Sequence, residues 1–94
     1  MRRRLESIKE FHEALTNNPN FRKRIWDNGT ECLYREDLQI TFDNDYLCID
    51  YGDLTLDLYK LEIDSIIEER NILFGKESID YVIKLKESRS TIEF

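Results

Sequence analysis

Glycine is nearly missing from this chain: 94 residues contain three, with one proline, one histidine, one tryptophan and two cysteines. Glycines confined to positions 29, 52 and 75 cannot build a Gly-rich phosphate loop or a Gly-x-Ser-x-Gly elbow. His12 has no partner histidine. Glu10-Phe11-His12-Glu13 therefore falls short of a helical zinc motif and reads as a solvated helix residue. Cys32 and Cys48 lack CxxC spacing and are too few for a secreted disulfide scaffold, so both are expected as thiols. Asp43-Asn44-Asp45 is similar to the opening of a calcium loop, but neither the glycine nor the bidentate glutamate follows. Asp50 and Asp57 form a diagonal carboxylate pair, yet an open sheet offers no enclosing pocket to shift a pKa. The expectation is a protein that is not an enzyme and holds no metal or cofactor.

A long apolar run is missing as well. Met1-Arg2-Arg3-Arg4 leads into charged sequence without an apolar stretch of about 7 to 15 residues, so neither a signal peptide nor a membrane span is expected. The chain reads as cytoplasmic. Hydrophobic residues at 40% and charged residues at 36% suit one folded domain, residues 1–94, with one core of modest stability. The wealth of Ile, Asn, Lys, Asp, Glu and Tyr points to an AT-rich coding source, such as a low-GC bacterium or its phages.

What the chain does have is charge, and it is unevenly placed. Residues 1–25 carry seven Lys or Arg against three acids, whereas residues 26–70 carry thirteen Asp or Glu against Arg35, Lys60 and Arg70. No basic residue lies between Glu36 and Tyr59. Such a split bears on partners and association rate, not on fold.

Leu5, Ile8, Phe11 and Leu15 recur at helical spacing and predict an amphipathic helix over about residues 3 to 16, stopped by Thr16-Asn17-Asn18. Asn18-Pro19 reads as an N-cap with proline at the first helical position, and Asn28-Gly29 as a left-handed stop, predicting a second helix over about 19 to 27. Phe21, Ile25 and Trp26 would be its apolar contacts. Arg22, Lys23 and Arg24 would then form a solvated face matched to the helix dipole.

From residue 30 the period falls to two. Leu38, Ile40 and Phe42, then Leu47, Ile49 and Tyr51, then Leu54, Leu56 and Leu58 alternate with polar residues, as half-buried strands do. Two-residue turns at Glu36-Asp37, Asn44-Asp45 and Gly52-Asp53 place Phe42 opposite Leu47, Ile40 opposite Ile49, and Tyr51 opposite Leu54, with Leu33 of a strand at about 31 to 35 opposite Ile40. All these apolar residues then share one face. Ile40, Phe42, Ile49 and Leu56 are expected to be buried, and Asp50 and Asp57 exposed. The step from Leu58 to Leu61 breaks phase and predicts a bulge or bend near Tyr59-Lys60, with a helix over 58 to 70 as the alternative. A hairpin turning near Gly75 to Glu77 and a last strand ending at Phe94 complete an α+β fold: two short N-terminal helices packed on one face of a mainly antiparallel, meander-like sheet of five to seven strands.

The same register collects Cys32, Tyr34, Gln39, Thr41, Asp43, Tyr46, Cys48, Asp50, Thr55, Asp57 and Tyr59 on the opposite face, without a Lys or Arg. Asp45 and Asp53 extend its charge at the two ends of the strands. The expected function is that of a small acidic protein–protein interaction module. Asp43, Asp45, Tyr46, Asp50, Asp53, Asp57 and Tyr59 would bind a basic partner protein, such as a nucleic-acid-binding effector or nuclease, as an inhibitor or immunity factor mimicking nucleic acid. In size and charge the chain resembles the class of phage anti-restriction and anti-CRISPR inhibitors and of nuclease immunity proteins, without sharing a motif. The bland reading of this face is a solvated sheet surface. Two further readings are a homo-oligomeric accessory subunit, such as a homodimer, pairing basic helices with an acidic sheet, and a nucleic-acid binder using Arg2, Arg3, Arg4, Arg22, Lys23 and Arg24. A net charge of -6 opposes the last. Neither nucleic acid nor membrane is an expected direct partner.

Overall fold

The computed structural model describes residues 1–88 and 90–94. In chain order its elements are β1 (Arg2–Leu5), α1 (Ile8–Thr16), β2 (Arg22–Ile25), β3 (Glu31–Arg35), β4 (Leu38–Phe42), β5 (Tyr46–Tyr51), β6 (Leu54–Tyr59), a 3-10 turn (Lys60–Glu62), β7 (Ile63–Leu73), β8 (Lys76–Leu85) and β9 (Thr91–Glu93). They form two antiparallel sheets, ordered β1-β7-β8-β9 and β2-β3-β4-β5-β6. The expected pair of helices on one sheet is overturned. Among the described residues one helix remains, and the strands divide into two sheets.

The stretch from Glu31 to Tyr59 follows its alternation. Leu33 faces Ile40, Ile40 faces Ile49, Phe42 faces Leu47, Ile49 faces Leu56 and Tyr51 faces Leu54, the register that the two-residue loops impose. Glu36 and Gly52 open two of those loops with positive φ, 50° and 59°, the left-handed start that matches the twist of paired strands.

Residues 19–27 are not helical. Asn18 caps nothing; its Oδ1 accepts from the Asn20 backbone N–H at 2.9 Å in a local turn, and its Nδ2 donates to the Tyr81 hydroxyl at 3.1 Å. Gly29, at φ 86°, closes a hairpin in place of a helix, with the Trp26 N–H donating to the Thr30 carbonyl at 2.9 Å. Arg22-Lys23-Arg24-Ile25 pairs with β3. At the N-terminus the helix starts later than the apolar spacing suggests. Ser7 caps it by accepting from the Glu10 N–H at 3.1 Å, and Arg2–Leu5 instead pairs with Ile66–Glu69.

The phase break after Leu58 is the corner between the sheets. The chain makes one 3-10 turn at Lys60–Glu62 and enters β7, which is a strand and not the alternative helix. A register shift between Ile63 and Ser65 then turns Ile66, not Ile67, onto the core side, where it is 2% exposed. The β7–β8 turn lies at Phe74-Gly75, both with positive φ.

One apolar cluster takes residues from α1 and from both sheets, including Phe11, Leu15, Leu33, Ile40, Ile49, Ile66, Tyr81 and Ile83. Phe11 joins the parts, its ring centroid 5.6 Å from Phe42, 5.4 Å from Tyr81 and 6.1 Å from Phe94. Ile40 and Ile49 are buried as expected, but Phe42 is only partly covered and Leu56 is 40% exposed. Leu56 lies on the sheet's outermost strand, where nothing completes its shell.

Candidate functional site

The outer face of the five-stranded sheet is built by the strict alternation of β3 to β6. Its cross-strand rows run Tyr34, Gln39, Asp50, Thr55 and Cys32, Thr41, Cys48, Asp57, with Tyr46 opposite Tyr59 at one end. Asp50 accepts a hydrogen bond from Thr55 Oγ1, its neighbour across the strands, at 2.7 Å, and it is half-buried, less open than expected. Asp57 is exposed. The Tyr46 and Tyr59 rings pack at 5.6 Å and 42°, a tilted pairing that presents rigid, amphipathic area.

The turns add charge at both ends. Asp43 donates its backbone N–H to the Tyr46 carbonyl, and its carboxylate accepts from the Asn44 N–H; the Asp45 carbonyl accepts from the Lys60 N–H at 2.7 Å. Asp53 lies at the opposite end, in the turn after Tyr51, where the Gly52 N–H reaches the Asp37 carbonyl. The structure thus gathers Asp43, Asp45, Tyr46, Asp57 and Tyr59 at one end of the face, with Asp50 further along it and Asp53 at the far end.

The face is not free of cations. Because β2 is a strand, Arg22 stands opposite Tyr34 and Arg24 opposite Cys32, so both arginines join the surface expected to carry none. The Arg24 guanidinium lies 4.7 Å from the Tyr34 ring centre and 5.4 Å from that of Trp26, within cation–π range. Beneath this layer Cys32 is fully buried, although its strand parity points it outward. The result is a graded surface, basic at β2 and acidic at β5, β6 and the turn that precedes β5. Four strand steps separate Arg24 and Asp57 along their shared row, about 19 Å at about 4.8 Å each.

Both thiols are held above their ordinary range. Burial, then the neighbouring Asp57 and Asp50 carboxylates, pushes the Cys48 thiol up to about 11, and burial also raises Cys32. Both cysteines are unbridged. His12 is half-buried on α1 and stacks on Phe42 at 4.6 Å. Its Nε2 lies 3.0 Å from Glu31 Oε2, off the line of a hydrogen bond. Lys23 Nζ, at 2.9 Å from Glu31 Oε1, holds that carboxyl below its ordinary range. This bracket ties α1, β2 and β3 together. Among the described residues no three His, Cys, Asp or Glu side chains converge as a metal site, and no helix is long and apolar enough to cross a membrane.

Two features escaped the sequence reading. Arg22 and Arg24 needed β2, whose signal was Asn28-Gly29: that dipeptide is a hairpin mark as well as a helix stop. The second is the tip of the β7–β8 hairpin, where Ile72, Leu73 and Phe74 are 76%, 66% and 95% exposed; the apolar run read only as a strand end. Searches against protein-family profiles, curated proteins and solved structures find no match to this chain.

Proposed function

We propose that this chain is a small acidic interaction module of the cytoplasm, which binds a basic surface of a partner protein through the β4–β6 part of its outer face. One observation carries the reading: Asp50 and Asp57 share a face with the Tyr46–Tyr59 pair, and Asp43 and Asp45 continue the charge beyond it. Carboxylates dispersed on a rigid sheet complement a surface that otherwise holds phosphates, and tyrosines add contact area at little entropic cost. Arg22 and Arg24 do not cancel this band. Arg24 lies about 19 Å from Asp57, and Arg22 about 14 Å from Asp50, three strand steps along its own row; both distances exceed a Debye length of about 8 Å at physiological ionic strength. A partner of this chemistry is a nucleic-acid-binding effector or nuclease, and occupying its groove makes the module an inhibitor or immunity factor.

The test uses tagged chain and a variant carrying Asp43→Lys, Asp50→Lys and Asp57→Lys, each incubated with extract of the native host and challenged with heparin. The reading requires a basic protein that the natural chain retains, that heparin or salt releases, and that the variant fails to hold. Identical retention by both proteins rejects it. A gel shift with random DNA separates the nucleic-acid reading: binding there places function on Arg22 and Arg24.

A further inference from the structure

Among the described residues β6 is a free edge of the five-stranded sheet, paired with β5 on one side only. Edge strands in soluble proteins are normally guarded by charged side chains, above all Lys, by Pro, by a bulge or by a covering element. The single charge of Asp57 is the one such guard in the sequence of β6. Leu54-Thr55-Leu56-Asp57-Leu58-Tyr59 contains neither Lys nor Pro, and its ladder with β5 runs through six residues without a shift. The side that faces the core is open beside it. Leu54 is 66% and Leu56 40% exposed, and Tyr51, the ladder partner of Leu54, is 58% exposed. A row of unpaired backbone groups therefore runs along an apolar row, a combination that invites strand addition.

The sequence of the edge specifies its occupant. Read outward from Leu56, Leu54-Thr55-Leu56-Asp57-Leu58 is the same in both directions, except that Thr55 and Asp57 exchange places. A two-fold axis through Leu56, normal to the sheet, sets β6 antiparallel to β6 of a second copy. It places Leu56 on Leu56, Leu54 on Leu58 and Thr55 on Asp57, with leucines against leucines on one face. Centring on Asp57 opposes the two carboxylates, and centring on Thr55 opposes Asp53 to Asp57; like charges directly opposite are destabilising. A one-residue slip sends leucines onto the polar face. The far edge is a poorer partner. With five antiparallel strands the two edges run in the same direction, so β6 against β2 of another copy is parallel, open-ended and inserts Lys23 into the leucine row.

We infer that two copies of this chain associate through β6, antiparallel about a two-fold axis at Leu56, each contributing five strands to one continuous sheet. The joint uses edge backbone and leucines, so it does not depend on the partner-binding reading. Its consequence for that reading is geometric: the two acidic bands lie side by side. Asp57 of the two copies are diagonal neighbours, so added salt tightens the pair.

Sedimentation velocity on the full chain tests this, with Leu56→Lys, Thr55→Lys and Thr55→Asp variants that keep every carboxylate of the acidic band. The natural chain should shift with concentration from 11.4 kDa towards twice that mass, more so at higher salt. Leu56→Lys should remain monomeric while its β5–β6 amides stay protected from exchange. If that variant fails to fold, the Thr55 pair decides: Thr55→Lys faces Asp57 and should lower the dissociation constant, whereas Thr55→Asp should raise it. A chain that stays monomeric at every concentration overturns the proposal. So does a dimer that ignores the Thr55 changes, or one that dissolves in salt and responds instead to Arg22→Glu with Arg24→Glu.

Discussion

Tyr81 on β8 stands opposite Glu68 on β7, and its hydroxyl donates to Glu68 Oε2 at 3.2 Å in a site where the two residues are 0% and 2% exposed. Asn18 Nδ2 donates to the same hydroxyl at 3.1 Å, while Arg3 Nη2 and Arg70 Nε each lie 3.2 Å from Glu68 Oε1. A buried carboxylate is tolerable only with partners of this kind. Burial pushes the Tyr81 phenol up to about 12, so it remains a donor throughout the physiological range.

Tyr81→Phe should keep the ring packing against Phe11 and Phe21 but leave the Asn18 amide and one carboxylate oxygen of Glu68 short of a partner. The expected loss is about 1–3 kcal/mol, the cost of a stranded buried polar group, read by urea denaturation. A loss within error would show that the phenol is not the link between Asn18 and Glu68.

A central and an edge strand of the five-stranded sheet should respond differently to truncation. Ile49→Ala, at 2% exposure, should cost about 2–5 kcal/mol, whereas Leu56→Ala should cost clearly less, because a large part of that side chain already meets water. Asp57→Asn should change stability little. Thermal unfolding of the three variants, at concentrations low enough to keep the chain monomeric, checks the ranking, and equal costs for Ile49 and Leu56 there would contradict the exposed β6 edge.

Phe74 occupies a turn position with φ 52° and is followed by Gly75 at φ 76°. A two-residue turn left-handed at both positions favours Asn-Gly, and a bulky side chain there is strained. Phe74→Asn should therefore raise stability by about 1 kcal/mol; the side chain it removes is 95% exposed, so no core packing is lost. A drop in melting temperature would mean that Phe74 makes contacts within the fold.

The raised thiol of Cys48 predicts slow alkylation. At about 11, about one thiolate in a thousand is present at pH 8, and it is the thiolate that reacts. The rate should climb through the alkaline range. Asp57→Asn removes a charge that disfavours the thiolate and should shift the rate profile to lower pH, while burial, the larger cause, keeps it above that of a free thiol. Mass spectrometry of iodoacetamide-treated protein across pH follows both cysteines, and fast labelling of Cys48 at neutral pH would count against its burial between the carboxylates.

The sequence by itself determined the meander from Glu31 to Tyr59, its register, and the rows on each of its faces. Alternation and two-residue loops are local, and three turns agreeing on one apolar face leave no second solution. From that register came Asp50 and Asp57 on one face and the Tyr46–Tyr59 pair. Tertiary structure decided the rest. Residues 19–27 are too few for a helix to hold itself, so pairing of Arg22–Ile25 with β3 overrode the local caps and put two arginines on the acidic face. Arg2 pairs with Glu69, a partner that lies at the other end of the sequence. The phase break at Tyr59-Lys60 was visible, but a bend within a sheet and a corner between two sheets leave the same local trace. Only the partners of β7, β1 on one side and β8 on the other, make it a corner, because strand neighbours are chosen by long-range burial and not by the residues at the turn.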